Sequence, residues 1–270
     1  MPPSIRIGPA TVYALQDGEG LFFEDRAAAF PAASARQWEA VDRFDPGAVA
    51  EDGRWRLPFR AFAIRTDSGV TLVDAGIGPA DSLGASWAPV PGRLPEELAA
   101  AGIDPAEVDT VVLTHLHTDH VGWAVTSAPD GRRPFFENAR YVLQRDEFAV
   151  IDELDPRLRE SLIDPLRAQD RLYLVDGETA LGPFARAVPT PGHTPGHQSV
   201  LVESGRDLVA VTGDVLVNAV QLLYPEVAYR FESDSETARR SREALLSRVA
   251  AAGGRLAASH LSAAFARVPG

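Results

Sequence analysis

The sequence predicts an α/β sandwich in which helices cover packed sheets. Short β-branched runs closed by Gly, Pro and Asp turns occur in both halves of the chain, and stretches with helical apolar spacing lie between and after them. No repeat and no Pro/Gly/Ser linker divides the 270 residues into two compositions, so a single domain over 1–270 is expected.

Taken in order, residues 10–15 read as a strand closed by an Asp17-Gly18 turn. Residues 19–57 read as irregular, with aromatics at Phe22, Phe23, Phe30, Trp38 and Trp55. Each of these is expected in the core, with an acyl-binding wall or a homodimer contact as the alternatives. Residues 59–66 and 70–74 form two strands around Asp67-Ser68-Gly69, 95–101 a short helix stopped at Gly102, and 109–114 a buried strand. Next come a strand at 139–143 and a helical stretch at 145–168 broken near Pro156. Strands follow at 185–188, 198–203 and 207–212, then a helix at 235–252 and a last short strand at 255–259. On that helix Arg239, Arg240 and Arg242 are expected to form a solvated face.

Composition prunes the chemistry. The 26 basic residues, against 38 acidic ones, are all Arg, and the net charge is −12. Without Lys there is no Schiff-base lysine and no P-loop lysine. Without Cys there is no thiolate nucleophile, disulfide, Cys-ligated zinc or iron–sulfur cluster. Any transition metal must therefore be held by His and carboxylates. The acidic balance argues against a nucleic-acid partner. The start, Met1-Pro2-Pro3-Ser4-Ile5-Arg6, lacks the pattern of a secretory signal, and no apolar run reaches the ~20 residues that span a bilayer. A cytoplasmic protein without a membrane partner is expected.

The histidines are few but gathered. His115-Leu116-His117-Thr118-Asp119-His120 directly follows the apolar run Val111-Val112-Leu113. At this composition such a string arises by chance in roughly two sequences per ten thousand, so it reads as a site. Residues two apart on an extended segment point the same way, so His115 and His117 can share one metal. Asp119 and His120 then enter a turn, where the changed direction lets them face a second. Downstream, a Pro-Gly turn presents His193, the strand at 207–212 ends near Asp214, and the last strand ends in Ser259-His260. These donors suit zinc, manganese, cobalt or iron.

This ordered set, with strand-end Asp74 in Thr71-Leu72-Val73-Asp74-Ala75-Gly76, resembles the metallo-β-lactamase superfamily from about Phe59 to His260. The resemblance implies a four-layer αββα sandwich with a dinuclear metal site, zinc first among the candidate ions. It implies that His115, His117 and His193 bind one ion, that Asp119, His120 and His260 bind the other, and that Asp214 bridges them. Asp74 would accept a hydrogen bond from a ligand His and orient it, and His197 would be structural. The implied chemistry is attack of a metal-bridged hydroxide on a carbonyl or phosphoryl centre, with Asp214 holding both ions and Asp119 passing a proton to the leaving group.

Among the branches of the superfamily, the absent signal disfavours secreted β-lactamases. The ten residues after His260 leave no room for the helical region of glyoxalase II enzymes. The stretch from Gly213 to Asp234 is most similar to the lactonases of acyl-homoserine lactones and the methyl parathion hydrolase-like esterases. The expected function is therefore hydrolysis of a lactone or related carboxylic ester, a small-molecule substrate. A phosphotriesterase-like activity is the alternative within the fold, and an iron redox protein such as a persulfide dioxygenase is the alternative outside hydrolysis. Trp123 and Tyr224 are the expected substrate contacts.

Overall fold

The computed structural model describes residues 1–129 and 131–269. The first sheet is built from β1 (Ser4–Ile7), β2 (Ala10–Leu21), β3 (Arg56–Thr66), β4 (Gly69–Val73) and β5 (Val108–Val112). After the separate hairpin β6 (Val125–Ala128) and β7 (Gly131–Pro134), it is completed by β8 (Arg140–Gln144) and β9 (Leu172–Val175). The order is β1-β2-β3-β4-β5-β8-β9, antiparallel as far as β4 and parallel from β4 to β9. The second sheet runs in chain order through β10 (Thr179–Ala180), β11 (Ala185–Pro189), β12 (Gln198–Ser204), β13 (Asp207–Val211), β14 (Arg255–Ala257) and β15 (Phe265–Ala266). Only its β13–β14 pair is parallel.

The period-two alternation of the strands separates the layers. Phe62, Val73 and Val112 of the first sheet pack against Val200, Val209 and Val211 of the second. The opposite side chains, Ala61, Leu72 and Val111, face Leu94 and Leu98 of the helix Leu94–Ala100 and Leu162 and Leu166 of the helical stretch around 159–168. On the far face of the second sheet, Leu201, Ala210 and Leu256 meet Leu245, Leu246 and Val249 of the long helix Ser235–Ala251. The result is the αββα sandwich. Among the described residues no helix is long and apolar enough to cross a membrane.

Three sequence expectations change. The segment 19–57 is not irregular: it holds α1 (Arg26–Ala29) and α2 (Ala35–Phe44). The second starts at a capping box in which the Ser34 side chain accepts from the Gln37 N–H and Gln37 reaches back to Ser34. The Asp17-Gly18 pair does not end a strand either. It sits inside the long β2 as a bulge, where the register against β3 jumps between Gln16 and Gly18. A bulge re-aims a side chain, and here it drives the Asp17 carboxylate into the interior. Third, Arg242 is not solvated but fully buried.

Candidate metal centre

Every histidine or carboxylate of the motif set follows the C-terminal end of a strand. Asp74 follows β4, the 115–120 string follows β5, His193 follows β11, Asp214 follows β13 and His260 follows β14. Strands β4 and β5 run parallel, as do β13 and β14, and β11 shares their sense because both β11 and β13 are antiparallel to β12. All these loops therefore emerge at one edge of the sandwich.

There the donors gather into two groups, His115, His117, His193 and Asp214 in one, Asp119, His120 and His260 in the other, with ligand atoms of each group within 4.8 Å of one another. His117 Nδ1 lies 2.9 Å from His115 Nε2 and 3.0 Å from His193 Nε2, and His120 Nε2 lies 3.3 Å from His260 Nε2. Nitrogens bound tetrahedrally to one zinc would stand about 3.3 Å apart. Asp214 sits between the groups. Its Oδ2 is 3.3 Å from His193 Nε2 and 3.7 Å from His115 Nε2, while its Oδ1 is 3.1 Å from His260 Nε2 and 3.3 Å from His120 Nε2. Despite those short distances Oδ1 is aligned for a hydrogen bond with neither ring. Close approach without alignment is what side chains aimed at a shared centre produce. The residues therefore fit divalent metal.

In three of the five rings, those of His115, His120 and His260, the outward nitrogen is held by a neighbour, which turns the other nitrogen toward the site. His120 Nδ1–H donates to Asp74 Oδ2 at 2.8 Å, and His260 Nδ1–H donates to the Pro58 carbonyl at 2.8 Å. Thr114 donates its hydroxyl to Asp74 Oδ2 and so accepts from His115 Nδ1–H at 3.0 Å. Asp74 holds this place with φ of 62°, a left-handed conformation that Asp tolerates better than most residues. Arg60, buried behind the last loop, donates to the carbonyls of Leu261 and Ser262 that follow His260. His197 stands outside both donor groups: its Nε2 accepts the Asp214 N–H at 2.9 Å and its Nδ1 faces Thr190. Gly213, at φ of 51°, leaves room for that contact, since a Cβ there would lie 2.6 Å from His197 Nε2.

Electrostatics agree with a cation site. Burial, followed by the neighbouring imidazoles, holds the His115 pKa well below its usual value, and burial does the same to His193 against the pull of Asp214. Both rings are neutral and ready to ligate. Burial opposes charge on Asp214 too, yet His260 and His120 outweigh it and hold the carboxyl well below its usual range. His120 moves the opposite way, its own burial being overcome by Asp214, Asp119 and Asp74. Buried carboxylates that stay ionised require positive charge beside them.

Above the donors lies a cavity of about 220 Å³, floored by His117, Asp119, His193, Asp214 and His260. Phe22, Phe23, Trp55, Trp87, Tyr229 and Phe231 form its walls, and among the described residues no Arg or Glu lines it. Two expected substrate contacts are absent from this wall. Trp123 is buried in the outer core, where its indole N–H donates to Asp17 Oδ1 at 3.0 Å and its ring meets Phe135. Tyr224 ends the short helix Ala219–Leu223 and packs against the other core. That helix takes up the residues after Asp214, so the tyrosine that reaches the cavity is Tyr229, stacked on the His193 ring with centroids 6.1 Å apart. Its place five residues downstream had no local signal. Burial, then Asp214 and Asp119, push the phenol pKa far up, so Tyr229 keeps its proton.

Comparison with known proteins gives the same picture. Residues 60–252 match the family model of the metallo-beta-lactamase superfamily. An N-acyl homoserine lactonase of a Bacillus species is 27% identical over 161 residues, 55% of this chain and 59% of that protein. The N-acyl homoserine lactonase AttM of Agrobacterium fabrum is 36% identical over 121 residues, 40% of each chain. The chain thus matches about three fifths or less of the length of these two relatives. The solved structure of AidC, a dizinc quorum-quenching lactonase, superposes with a TM-score of 0.78 at 21% identity, covering 99% of this chain and 95% of that one. The hydrolase AbOPH of the beta lactamase superfamily gives 0.79 at 24% identity, covering 98% and 91%. At these identities the two structures show the shared fold.

Proposed function

The chain belongs to the metallo-beta-lactamase superfamily, and on that premise we propose that it is a dinuclear metal-dependent hydrolase of lactones or related carboxylic esters, with residues 1–270 as one domain. The observation that carries the reading is the placement of Asp214, one oxygen toward each donor group, beneath a cavity walled by aromatic side chains. His115, His117 and His193 would hold one ion, Asp119, His120 and His260 the other, and Asp214 both, with zinc favoured by the His and carboxylate donors. When bound, such a pair supplies Lewis acidity and a nucleophile made from water near neutral pH.

The chain's own residues do the rest. The aromatic wall excludes water and takes up the uncharged part of the substrate, placing its ester group over the donors. Tyr229 donates its phenolic hydrogen to an ester oxygen as charge develops there. Asp119, which also lines the cavity, would take the proton that the attacking water releases and pass it to the leaving oxygen as the acyl–oxygen bond breaks. Water adds across that bond, and a lactone opens to its hydroxy acid. The similarity to N-acyl homoserine lactonases supports this substrate class.

The test is a panel of acyl lactones and aryl esters offered to protein loaded with zinc or manganese. Hydrolysis that stops on chelation and returns with metal is the expected result. No turnover across the panel by fully loaded protein overturns the reading.

A further inference from the structure

Glu147 is fully buried and takes no part in the chemistry above. It lies in the short helix Arg145–Ala149, directly after β8, the neighbour of β5. Its Oε1 accepts the Leu116 N–H at 2.9 Å, and Leu116 sits between His115 and His117. Its Oε2 accepts the Gly196 N–H at 3.0 Å, three residues past His193. The approach is close enough to need glycine, because a Cβ at position 196 would stand 2.0 Å from the Glu147 nitrogen. A second tie runs alongside: Gln144 Nε2 donates to Gln198 Oε1, and Gln198 Nε2 donates to the Leu113 carbonyl.

Each carboxylate oxygen thus takes one backbone N–H from a different histidine loop. A buried carboxylate is costly, and an apolar side chain of similar size would fill the space at less cost. What only a carboxylate provides here is two acceptors at a fixed separation. An amide offers one acceptor and would set its NH2 against the other N–H.

We propose that Glu147 is a positioning residue for metal binding: by joining the Leu116 and Gly196 amides, it sets the distance of His115 and His117 from His193. The proposal rests on the dinuclear reading and concerns one of its two ions. The other group has braces that Glu147 does not touch, Asp74 on His120 and Pro58 and Arg60 around His260, although Asp74 also reaches His115 through Thr114.

The experiment measures zinc binding by the full chain in competition with a chromogenic chelator, alongside metal content at buffered free zinc and the melting temperature of the metal-free protein. Wild type is expected to take two ions. Glu147→Gln is expected to weaken one ion by roughly 10–100-fold and leave the other unchanged, so that content falls from two to one over a window of free zinc. Glu147→Asp, shorter by one methylene, should fall between them. Wild-type affinity for both ions in Glu147→Gln overturns the proposal. So does equal weakening of both together with a lower melting temperature, which marks a merely structural residue. A wild type that takes no zinc instead sinks the metal reading itself, a distinguishable result. If Glu147→Gln does not fold, amide exchange in metal-free wild type reads the same contact: protection at Leu116 and Gly196 supports it, and fast exchange at both overturns it.

Discussion

Arg242 donates to the carbonyls of Val215, Pro225 and Val227 and pairs at 2.8 Å with Glu232, both charges lying in the interior. It thereby ties the backbone beside Asp214 to the loop that carries Tyr229 and Phe231. Removing one partner of a buried pair strands the other, so Arg242→Met is expected to cost about 3–5 kcal/mol in denaturant unfolding. The loss should depend on pH. Burial raises the Glu232 pKa against the pull of Arg242. A carboxyl raised in the folded state contributes its full stability below the unfolded pKa and loses it as pH rises through the folded one. Without Arg242 the folded pKa rises further, so the gap from wild type should be smaller near about pH 5 than near about pH 7. An equal gap at both would show that the charge pair does not set the cost. At the cavity, Tyr229→Phe keeps the ring over His193 and deletes the hydroxyl. A fall in kcat of roughly 100-fold with unchanged metal content is expected, whereas Tyr224→Phe should leave kcat near wild type.

At the scale of elements, the bulge in β2 does what a regular strand could not. It turns Asp17 inward to accept the N–H groups of Ile77, Gly78 and Leu94 and the indole N–H of Trp123. One carboxylate so joins the loop after β4, the start of the helix Leu94–Ala100 and the turn after His120. Asp17→Ala leaves four buried donors without a partner. A loss of about 3 kcal/mol or more is expected in chemical denaturation, and a loss under about 1 kcal/mol would mean that water replaces the side chain. The Asp-Gly pair was visible in the sequence, but a turn and a bulge use the same residues. Only the pairing of Gln16 and Gly18 with β3 separates them. The helices within 19–57 were hidden for another reason. α2 buries only Trp38 and Val41, too short a stripe for periodicity to register, although Ser34 and Gln37 spelled its cap.

At the scale of the whole molecule, two carboxylates and five imidazoles converge from loops that are far apart in the chain. Metal that binds only this folded arrangement stabilises it by mass action, about 2.7 kcal/mol per site at a hundredfold excess over Kd. The melting temperature should therefore drop on chelation and recover with zinc. An unchanged melt would argue against a bound metal. A neutral ester carries no net charge on which the field of a −12 protein could act. Its kcat/KM should stay nearly flat as salt rises, while a steep decline would point to a charged substrate.

By itself the sequence determined the fold class and singled out the seven residues that the fold gathers into two groups, because both are written locally. Strand runs are contiguous, and a ligand loop needs only the right residue just past a strand end, as at His115 and His260. The tertiary structure alone decided which tyrosine reaches the cavity, why Arg242 is inside, and that Asp17 and Glu147 join loops distant in sequence. The roles of Arg242, Asp17 and Glu147 depend on hydrogen bonds to backbone amides and carbonyls, groups that nearly every residue carries. Such partners leave no mark in the sequence until the chain is folded.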